Sequence, residues 1–275
     1  MHHLYVIFRM DLESSLRSKW FWGYTLAVLC TIGGIFASGV TDSRVMGFTG
    51  LTRLLLIFVQ ATNLILPVFI LVTTVRTLVK ERETSVFEYL LSYPVSLGEY
   101  YWGKALSRFV TIVLPLVLSM LGATVLSLIL GQTIPWSIIG LYTALLIASA
   151  FFWVALSFLI SSMVKTQEAG LGIALFIWLT LIAFLDIVLL GLLIKALVPE
   201  NVIYVLALVN PIQIFKIATI SLFDPVLSVI GPAAYFILDI FGSTLFMVYA
   251  FAFLFLWGLG FLYAGYRAFS TKDLL

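Results

Sequence analysis

The stretch GEYYWGKA at residues 98–105 comes within one residue of the G-x-x-x-x-G-K-[ST] loop that binds nucleotide phosphates. Such a loop needs a Ser or Thr hydroxyl to ligate magnesium, but Ala105 stands at that position. Its backbone must also wrap closely around phosphate, whereas Tyr100, Tyr101 and Trp102 are large side chains. No strand pattern precedes the stretch, and a long apolar run follows it. We therefore expect no nucleotide site here.

Metal and hydrolase chemistry also lack the required residues. The two histidines, His2 and His3, are adjacent near the amino end, and the six methionines are scattered along the chain. A soft-metal site needs converging thiolates, thioethers or imidazoles. The single cysteine, Cys30, excludes an intrachain disulfide and a cysteine cluster. The sequence has neither H-E-x-x-H nor G-x-S-x-G, so we expect no metal site, no cofactor and no catalytic residue in this chain.

The composition indicates an integral membrane protein. Of 275 residues, 63% are apolar and 10% are charged, and the mean hydropathy is +1.17. A soluble domain has about 25% charged residues, so this chain could not cover a water-facing surface. The net charge of +2 carries little information, and we expect membrane lipid rather than nucleic acid around the chain.

Six stretches are long and apolar enough to cross a bilayer, which takes about 20 residues. They cover approximately residues 20–40, 54–79, 105–130, 137–160, 170–194 and 242–265. With the amino end inside, four of the fifteen Lys and Arg residues lie in outer segments, and the other eleven lie in inner ones. This imbalance predicts cytoplasmic termini, and so does the even number of spans. We expect one all-α transmembrane domain over residues 1–275, with no cleavable signal peptide.

Two segments outside these spans have helical patterns of their own. In residues 4–19, the apolar residues Tyr5, Phe8, Leu12 and Leu16 recur at helical spacing beside charged ones. This predicts an amphipathic helix on the inner membrane surface, the alternative being a polar lead-in. Between the fifth and sixth spans, prolines break residues 197–241 into short pieces.

The dipeptide Asn210-Pro211 in this broken segment is a typical helix start, with Asn as N-cap and Pro in the first turn. We expect short helices at the outer membrane surface. A re-entrant segment or an additional span is the alternative. A single additional span would move Arg267 and Lys272 to the outside, against the charge rule.

The longest polar inner stretch between spans is KERETSVFEYLLSYPVSLGEYYWGKALSR, residues 80–108. It contains two capping boxes, in which a hydroxyl residue is followed three positions later by Glu: Ser85 with Glu88, and Ser96 with Glu99. They predict one helix over about 86–92 and a second that continues into the third span.

Pro94 ends the first of these helices, because the residue before a proline is disfavoured in helical conformation. The second begins at Leu97. Trp102 and the two preceding tyrosines then lie where an interfacial aromatic belt is expected.

The helix over 86–92 is unusually apolar for a loop. It carries Phe87, Tyr89, Leu90 and Leu91, and Tyr93 follows it. An exposed apolar surface of this kind favours a partner protein, although the helix could instead fold back onto its own bundle.

An acidic and basic cluster followed by LLSYPVS and EYYWGK resembles the coupling loop of ABC-2 type transporter permeases. In that family the loop follows the second span, and its short helix docks into a groove of a separate ATPase subunit. The family usually has a glycine after the acidic cluster, where this chain has Thr84-Ser85. The resemblance assigns ATPase coupling to Glu81, Glu83, Leu90, Leu91, Pro94, Glu99, Gly103 and Lys104. We add Val86, Phe87 and Glu88 of the predicted short helix as coupling candidates.

Three further stretches narrow the resemblance. MGFTGL at 46–51, FLDIVLLGLL at 184–193 and VNPIQIFKIATISLF at 209–223 are similar to permeases of complexes that mature the copper enzyme nitrous-oxide reductase. This implies a homodimer in the cytoplasmic (inner) membrane with two cytoplasmic ATPase subunits, which bind ATP and Mg, and an extracytoplasmic β-helical partner. Asn210 and Pro211 are candidate contacts with that outer partner.

Polar residues within the spans are candidates for a transport path. Asp186 falls in the outer third of the fifth span, where a carboxylate should face protein or water. It could lie at the mouth of a path, bond a neighbouring helix or be protonated. Gln60 and Asn63 in the second span could line a path, but bonding between helices is favoured.

Together these features predict a non-catalytic permease subunit that couples ATP hydrolysis by a partner to export, or to force on an outer partner. The cargo could be a sulfur species, a metal-linked compound or something unrelated. Alternatives are a general ABC-2 exporter of lipid, drug or polysaccharide, and an ion-coupled secondary transporter. A membrane-embedded enzyme would need clustered acids or histidines, which the sequence lacks.

Overall fold

The structure is a computed structural model. It describes residues 2–19, 21–26, 29–30, 50–84, 94–129, 136–182, 200–223 and 232–271. Within these ranges the chain is helical apart from short connections, which confirms the all-α prediction. The predicted helix over 86–92, most of the predicted first span and Asp186 lie outside the described residues.

Some helix bounds agree with the predicted ones, whereas the predicted second span is divided at Val75 and the last helix begins ten residues before residue 242. Their bounds are α1 His2–Leu16, α2 Gly50–Thr74, α3 Arg76–Glu83, α4 Leu97–Ile129, α5 Trp136–Met163, α6 Gln167–Leu179, α7 Glu200–Val209, α8 Pro211–Phe223 and α9 Pro232–Thr271.

In the described ranges, four helical stretches are long and apolar enough to cross a membrane. They are Val59–Glu83, Leu97–Gly122, Trp136–Met163 and Ile237–Thr271, which correspond to the predicted second, third, fourth and sixth spans. The predicted fifth span is represented by α6, and its second half lies beyond the described ranges. The chain is therefore an all-helical multi-pass membrane protein.

Helix α5 forms the centre of the described bundle. It contacts α2, α3, α4, α6, α8 and α9. Apolar residues cover its whole circumference, a pattern typical of a helix surrounded by others. Trp153 and Phe158 are almost completely inaccessible to solvent. Movements of the other helices are therefore constrained by a common neighbour.

Helix α9 is interrupted at Gly242. This residue has φ of 69°, a left-handed conformation that glycine adopts without the steric cost that other residues incur. The kink separates a short preceding helix from the long apolar helix that follows. The position agrees with the predicted start of the sixth span at residue 242.

Helices α7 and α8 confirm the prediction of short helices between the fifth and sixth spans. The side chain of Asn210 caps α8, because its Oδ1 accepts a 2.9 Å hydrogen bond from the backbone amide of Ile212. However, α8 packs against α2, α5 and α9, and its residues Ile214 and Phe215 are buried. The helix is therefore part of the packed bundle, and both the surface position and the re-entrant alternative stay predictions.

The same burial bears on the assignment of Asn210 and Pro211 as contacts with an outer partner. Both residues are buried. The Asn210 Nδ2 also donates a 2.9 Å hydrogen bond to the carbonyl oxygen of Leu181. Asn210 thus joins the start of α8 to Leu181, and neither side chain is exposed in the described part of the chain, so their contact with an outer partner stays a prediction.

The helix predicted at the amino end is present as α1, which packs against α4. Its bundle-facing side includes Asp11 and Ser15, both buried. Its outer side exposes Tyr5 and Met10, at 58% and 66% of their surface. An exposed apolar side on a short helix is what a position in the membrane interface requires.

Candidate functional site

The candidate site is the end of the bundle where the chain leaves α3 and returns through α4. Five of the predicted coupling residues, Val86, Phe87, Glu88, Leu90 and Leu91, lie outside the described residues, and their docking role stays a prediction. The structure describes α3 and the first three turns of α4, which flank these residues in sequence, and also α1, which packs against α4. We call these three elements the loop frame.

The return of the chain into α4 is fixed by the second predicted capping box. The Glu99 carboxylate accepts hydrogen bonds from the backbone amide and the hydroxyl of Ser96, at 3.2 and 3.0 Å. The Ser96 hydroxyl accepts one of 3.2 Å from the Glu99 amide. Pro94 is exposed just before this cap. The third span therefore begins at Leu97, as predicted.

Residues 98–105, which resemble a phosphate loop in sequence, form regular helix within α4. The prediction that Tyr100 and Tyr101 belong to an interfacial belt is wrong, because they are only 2% and 0% exposed. Helix α9 covers this face of α4, and the Tyr101 hydroxyl donates a 3.0 Å hydrogen bond to the Leu262 carbonyl oxygen. These aromatic residues thus join the loop frame to the last span.

Four charged side chains meet at the centre of the loop frame. We call Asp11, Glu81, Lys104 and Arg108 the charge cluster. The Lys104 Nζ donates to Asp11 Oδ1 at 2.9 Å and also to Glu81 Oε1. The Arg108 Nη2 and Nε each lie 3.4 Å from an oxygen of Asp11. The cluster therefore connects all three helices of the frame.

The charge cluster is shielded from solvent and balanced in charge. The exposed fractions of the side chains are 8% for Asp11, 9% for Lys104, 20% for Glu81 and 29% for Arg108. Two carboxylates face two cations, so the ions compensate one another. Removing one member of such a group leaves a buried charge without its partner, which costs about 3–5 kcal/mol in buried pairs.

Asp11 is ionised in this environment. Burial of the carboxyl group raises its pKa, but the positive charges of Arg108 and Lys104 outweigh this effect and hold the pKa below its usual range. The carboxylate is therefore a permanent anion at neutral pH, and its ion pairs with α4 persist.

Gly103 allows α1 to approach α4 closely. A Cβ atom at this position would lie 3.1 Å from both the Ile7 Cγ2 atom and the Leu4 carbonyl oxygen. Any side chain would push the two helices apart. The resemblance to permeases assigns Gly103 to coupling, and the structure gives it a steric reason next to Lys104.

A second connection joins the end of α3 to the start of α6. The Glu83 carboxylate accepts a hydrogen bond of 2.9 Å from the backbone amide of Gln167, and another from the side-chain amide of Gln167. Nearby, a Cβ atom on Gly170 would lie only 2.7 Å from a methyl group of Val75. The end of the second span is thus held against the fifth.

The predicted intramembrane polar residues do not converge in the described part of the chain. Gln60 is exposed on α2 and Asn63 is half-buried. Asp186 lies outside the described residues. Among the residues that the structure covers, no group of three or more His, Cys, Asp or Glu side chains could hold a metal ion. A transport path therefore stays a prediction.

Sequence reasoning missed Asp11 and Arg108 as members of the site. Asp11 is separated by 93 residues from Lys104 and by 97 from Arg108. The sequence signal for Asp11 was weak. Asp11 lies four residues from both Ile7 and Ser15, on the side of α1 away from its exposed apolar residues. The partner of such a residue depends on how the helices pack.

The described helices, with an ion pair that joins the second and third predicted spans, define the chain as a multi-pass membrane protein. The comparison with known families identifies its class. Residues 5–274 match the model of the ABC-2 family transporter protein. The chain belongs to this family, whose members are generally non-catalytic subunits that associate with an ATP-binding subunit.

Two curated relatives are similar over most of their length. The "Probable ABC transporter permease protein NosY" of Stutzerimonas stutzeri is 25% identical over 231 residues, which cover 82% of this chain and 83% of the relative. The protein of the same name from Pseudomonas aeruginosa is 24% identical over 230 residues, with coverage of 80% and 82%. The resemblance to ABC-2 permeases is thereby confirmed.

Proposed function

We propose that this chain converts ATP hydrolysis by a separate ATP-binding subunit into movement of its own second and third spans. The observation that carries the proposal is the ion pair between Glu81 and Lys104, which joins the two helices on either side of residues 85–93. A push on that loop is then received by both spans together, because their ends are fastened to one another.

The movement spreads from the loop frame through contacts that leave little free space. The hydrogen bond between Glu83 and Gln167 connects the frame to α6, and the hydrogen bond between Tyr101 and Leu262 connects it to α9. A displacement of the frame therefore moves both helices. Close-packed interiors have low compressibility, so a displacement at one end of such a bundle is transmitted rather than absorbed. The predicted helix over 86–92 is the surface on which the ATP-binding subunit pushes.

The loop frame faces the cytoplasm in this proposal. Basic residues are concentrated at this end of the described helices, including Lys80, Arg82, Lys165 and Arg267. Such a concentration is typical of the cytoplasmic side of membrane proteins. The protein then lies in the cell (inner) membrane with both termini inside.

ATP and Mg are bound by the partner subunit. The stretch of this chain that resembles a phosphate loop is helical, and Tyr100 and Tyr101 within it are buried. A continuous helix with buried aromatic side chains cannot wrap around a phosphate group as a phosphate loop does. This supports the proposal that the energy for movement comes from another polypeptide.

The finer function that we propose is a role in the maturation of a copper enzyme, nitrous-oxide reductase. Similarity to the two relatives and the stretches at 184–193 and 209–223 support it. The assembly would contain two copies of this chain, two ATP-binding subunits and an extracytoplasmic β-helical protein, and would export a compound or exert force on that outer protein.

A general ABC-2 exporter of lipid, drug or polysaccharide would use the same loop frame. The two possibilities differ in their gene neighbourhood. An adjacent ATPase, a β-helical protein and a copper reductase would support maturation, whereas other neighbours would leave only the exporter. A third possibility is an ion-coupled secondary transporter, which would move its substrate without an ATP-binding subunit. Transport measurements in proteoliposomes that lack such a subunit test it.

The docking surface can be tested with the double variant Leu90→Asp/Leu91→Asp. A candidate ATP-binding subunit is co-expressed with this chain and recovered by pull-down from detergent-solubilised membranes. We expect the double variant to lose the ATP-binding subunit, and the matched control Leu90→Met/Leu91→Met to keep it. Unchanged recovery with the double Asp variant, at equal amounts of membrane-inserted protein, contradicts the docking assignment.

A further inference from the structure

We propose that a cavity beside Arg108 binds the phosphate group of a membrane lipid, in the leaflet on the loop-frame side of the bundle. The cavity has a volume of about 80 Å³ and is lined by the end of α1, the start of the predicted first span, α2 and α4. One ordered water needs only about 10–15 Å³ of such space, so a group of several heavy atoms can enter. The inference goes beyond the proposed function, because it concerns a bound lipid and does not depend on an ATP-binding subunit.

Arg108 is the cation that lines this cavity. Its Nε and Nη2 atoms each lie 3.4 Å from an oxygen of Asp11, which is longer than the 2.7–2.9 Å or so of a charge-assisted hydrogen bond. The buried Nε makes no hydrogen bond with any residue that the structure describes. A guanidinium has five N–H donors in a planar fork that matches the oxygens of phosphate. Arg108 therefore has donors left for a second anion.

Two hydroxyl groups at the cavity provide a separate observation. Thr74 is 0% exposed and lines the cavity, and its Oγ1 has no hydrogen-bond partner in the described part of the chain. The hydroxyl of Tyr24, which also lines the cavity, is buried and equally without a partner there. A buried hydroxyl without a hydrogen bond is costly, and native proteins satisfy nearly all of them. Both groups therefore indicate a ligand with acceptor oxygens, such as a phosphate or an ester.

The cavity changes from polar to apolar in the direction of the bilayer centre. Helix α2 runs towards the loop frame, so Phe69 lies deeper in the membrane than Thr74. Helix α4 runs away from the frame, so Ile112 lies one turn deeper than Arg108. The ring of Tyr24 stacks on Phe69 at 3.8 Å and extends the apolar part. A lipid has the same polarity, with its phosphate at the surface and its chains towards the centre, whereas a free phosphate matches only the polar end.

The charges around the polar end favour a lipid with a negative head group. Ser18 lines the cavity, and the residues on either side of it, Arg17 and Lys19, are exposed cations. They are additional to the charge cluster, in which two cations already balance two carboxylates. Basic pockets between membrane helices bind the head groups of anionic lipids. Phosphatidylglycerol, which carries one negative charge on its phosphate, is a lipid of the expected class.

The experiment measures lipid binding to the full chain, purified in detergent and freed of its native lipid, by native mass spectrometry. The measured quantity is the Kd of the first dioleoylphosphatidylglycerol bound to each chain. Two further probes separate the parts of the lipid: dioleoylglycerol has the same chains without phosphate, and glycerol 3-phosphate has the phosphate without chains. We expect phosphatidylglycerol to bind saturably, and each of the other probes to bind at least about tenfold more weakly, because each matches only one end of the cavity.

Substitutions at the cavity locate the binding site. Arg108→Gln should weaken the affinity for phosphatidylglycerol at least about tenfold, as the loss of a hydrogen bond to a charged group does. Thr74→Val removes one hydroxyl and keeps the shape of the side chain, so we expect a loss of about two- to tenfold. The matched control Thr77→Val removes another buried hydroxyl that has no partner among the described residues and does not line the cavity. This control and Arg267→Gln, which removes an exposed cation of α9, should bind like the unsubstituted chain.

Gel filtration and thermal unfolding without lipid establish that each variant is folded. Thr74→Val should be at least as stable as the unsubstituted chain, because it removes a buried polar group without a partner, and it decides the test if Arg108→Gln does not fold. Equal binding of dioleoylglycerol would overturn the inference in favour of apolar contact with lipid chains, and equal binding of glycerol 3-phosphate would overturn it in favour of a soluble phosphate. An unchanged affinity in a folded Arg108 or Thr74 variant would show that the lipid binds elsewhere.

Discussion

The carboxylate of Glu83, the last residue of α3, lies 2.9 Å from the backbone nitrogen of Gln167, the first residue of α6. An anion at the amino end of a helix satisfies an amide without an intrahelical partner and interacts favourably with the helix dipole. The hydrogen bond therefore anchors the fifth span to the loop frame. In the proposed function it is also the first contact through which movement leaves the frame.

Replacing Glu83 tests this anchor. In Glu83→Ala the Gln167 amide loses its acceptor, and we expect its hydrogen–deuterium exchange, measured by mass spectrometry on the peptide that contains residues 164–170, to become faster. Glu83→Gln keeps an acceptor without the charge and should give an intermediate rate. The control Glu168→Ala removes an exposed acid from the same turn and should leave the rate unchanged.

Gly265 in α9 is a test of close packing against the loop frame. A Cβ atom there would lie 2.5 Å from the Tyr101 hydroxyl oxygen and 3.2 Å from the Leu159 Cα atom. We expect Gly265→Ala to destabilise the folded protein by about 1–3 kcal/mol, as overpacking usually does. The measurement is thermal unfolding in detergent.

Gly260 provides the matched control on the same helix. Apart from its chain neighbours and the backbone of its own helix, no atom of the described residues lies within 4 Å of the position that its Cβ would occupy. Gly260→Ala should raise the stability by up to about 1 kcal/mol, because alanine is the better helix former. Equal effects of the two substitutions would show that the close contact at Gly265 is absent.

The capping box at the start of α4 predicts the effect of Ser96→Ala. This change removes the hydroxyl that accepts a hydrogen bond from the Glu99 amide. We expect the free energy of unfolding to fall by about 0.5–2 kcal/mol. Ser96→Thr keeps the hydroxyl and should cost less. Unfolding in detergent measures both variants. A loss no larger in Ser96→Ala than in Ser96→Thr would contradict the cap.

The pKa of Asp11 predicts a dependence of stability on pH. Because the folded state holds this pKa below its usual range, the carboxylate stabilises the fold above the unfolded pKa of about 3.9. The contribution is lost as the pH falls through the lower, folded pKa. The difference in melting temperature between the unsubstituted chain and Asp11→Asn should therefore be constant near neutral pH and shrink below about pH 4.

The exposed ion pair between Arg9 and Glu13 on the same helix gives the comparison. Its nitrogen and oxygen are 2.7 Å apart, but solvent screens the interaction. Glu13→Gln should change the melting temperature little at any pH. A difference for Asp11→Asn that widens on acidification would mean that the carboxylate is protonated in the folded state.

Much of the architecture could be predicted because local pattern decides it. Hydrophobic length alone predicted the spans that the structure describes, since a membrane helix must satisfy its own backbone groups over the thickness of the bilayer. The caps at Ser96 and Asn210 were also predicted, and each joins residues no more than three apart in sequence. Such features require no knowledge of distant neighbours.

The depth of the helices was harder to predict. The aromatic residues Tyr100 and Tyr101 have the composition of an interfacial belt, yet α9 covers them. Similarly, α8 is too short to cross the membrane but is buried among three other helices. Apolar side chains can pack against lipid tails as well as against other helices, because lipid tails are equally apolar. Hydropathy therefore does not distinguish the two environments.

The sequence by itself determined that this protein is a multi-pass helical permease of the ABC-2 family, where α4 and α8 begin, and which loop resembles a coupling loop. Only the tertiary structure decided that Asp11 of α1 binds Lys104 and Arg108, and that Gly103 and Gly265 are sites of close approach. The physical reason is range: hydrophobic length and helix caps act within a few residues, whereas ion pairs and steric contacts join residues that only the packing of helices brings together.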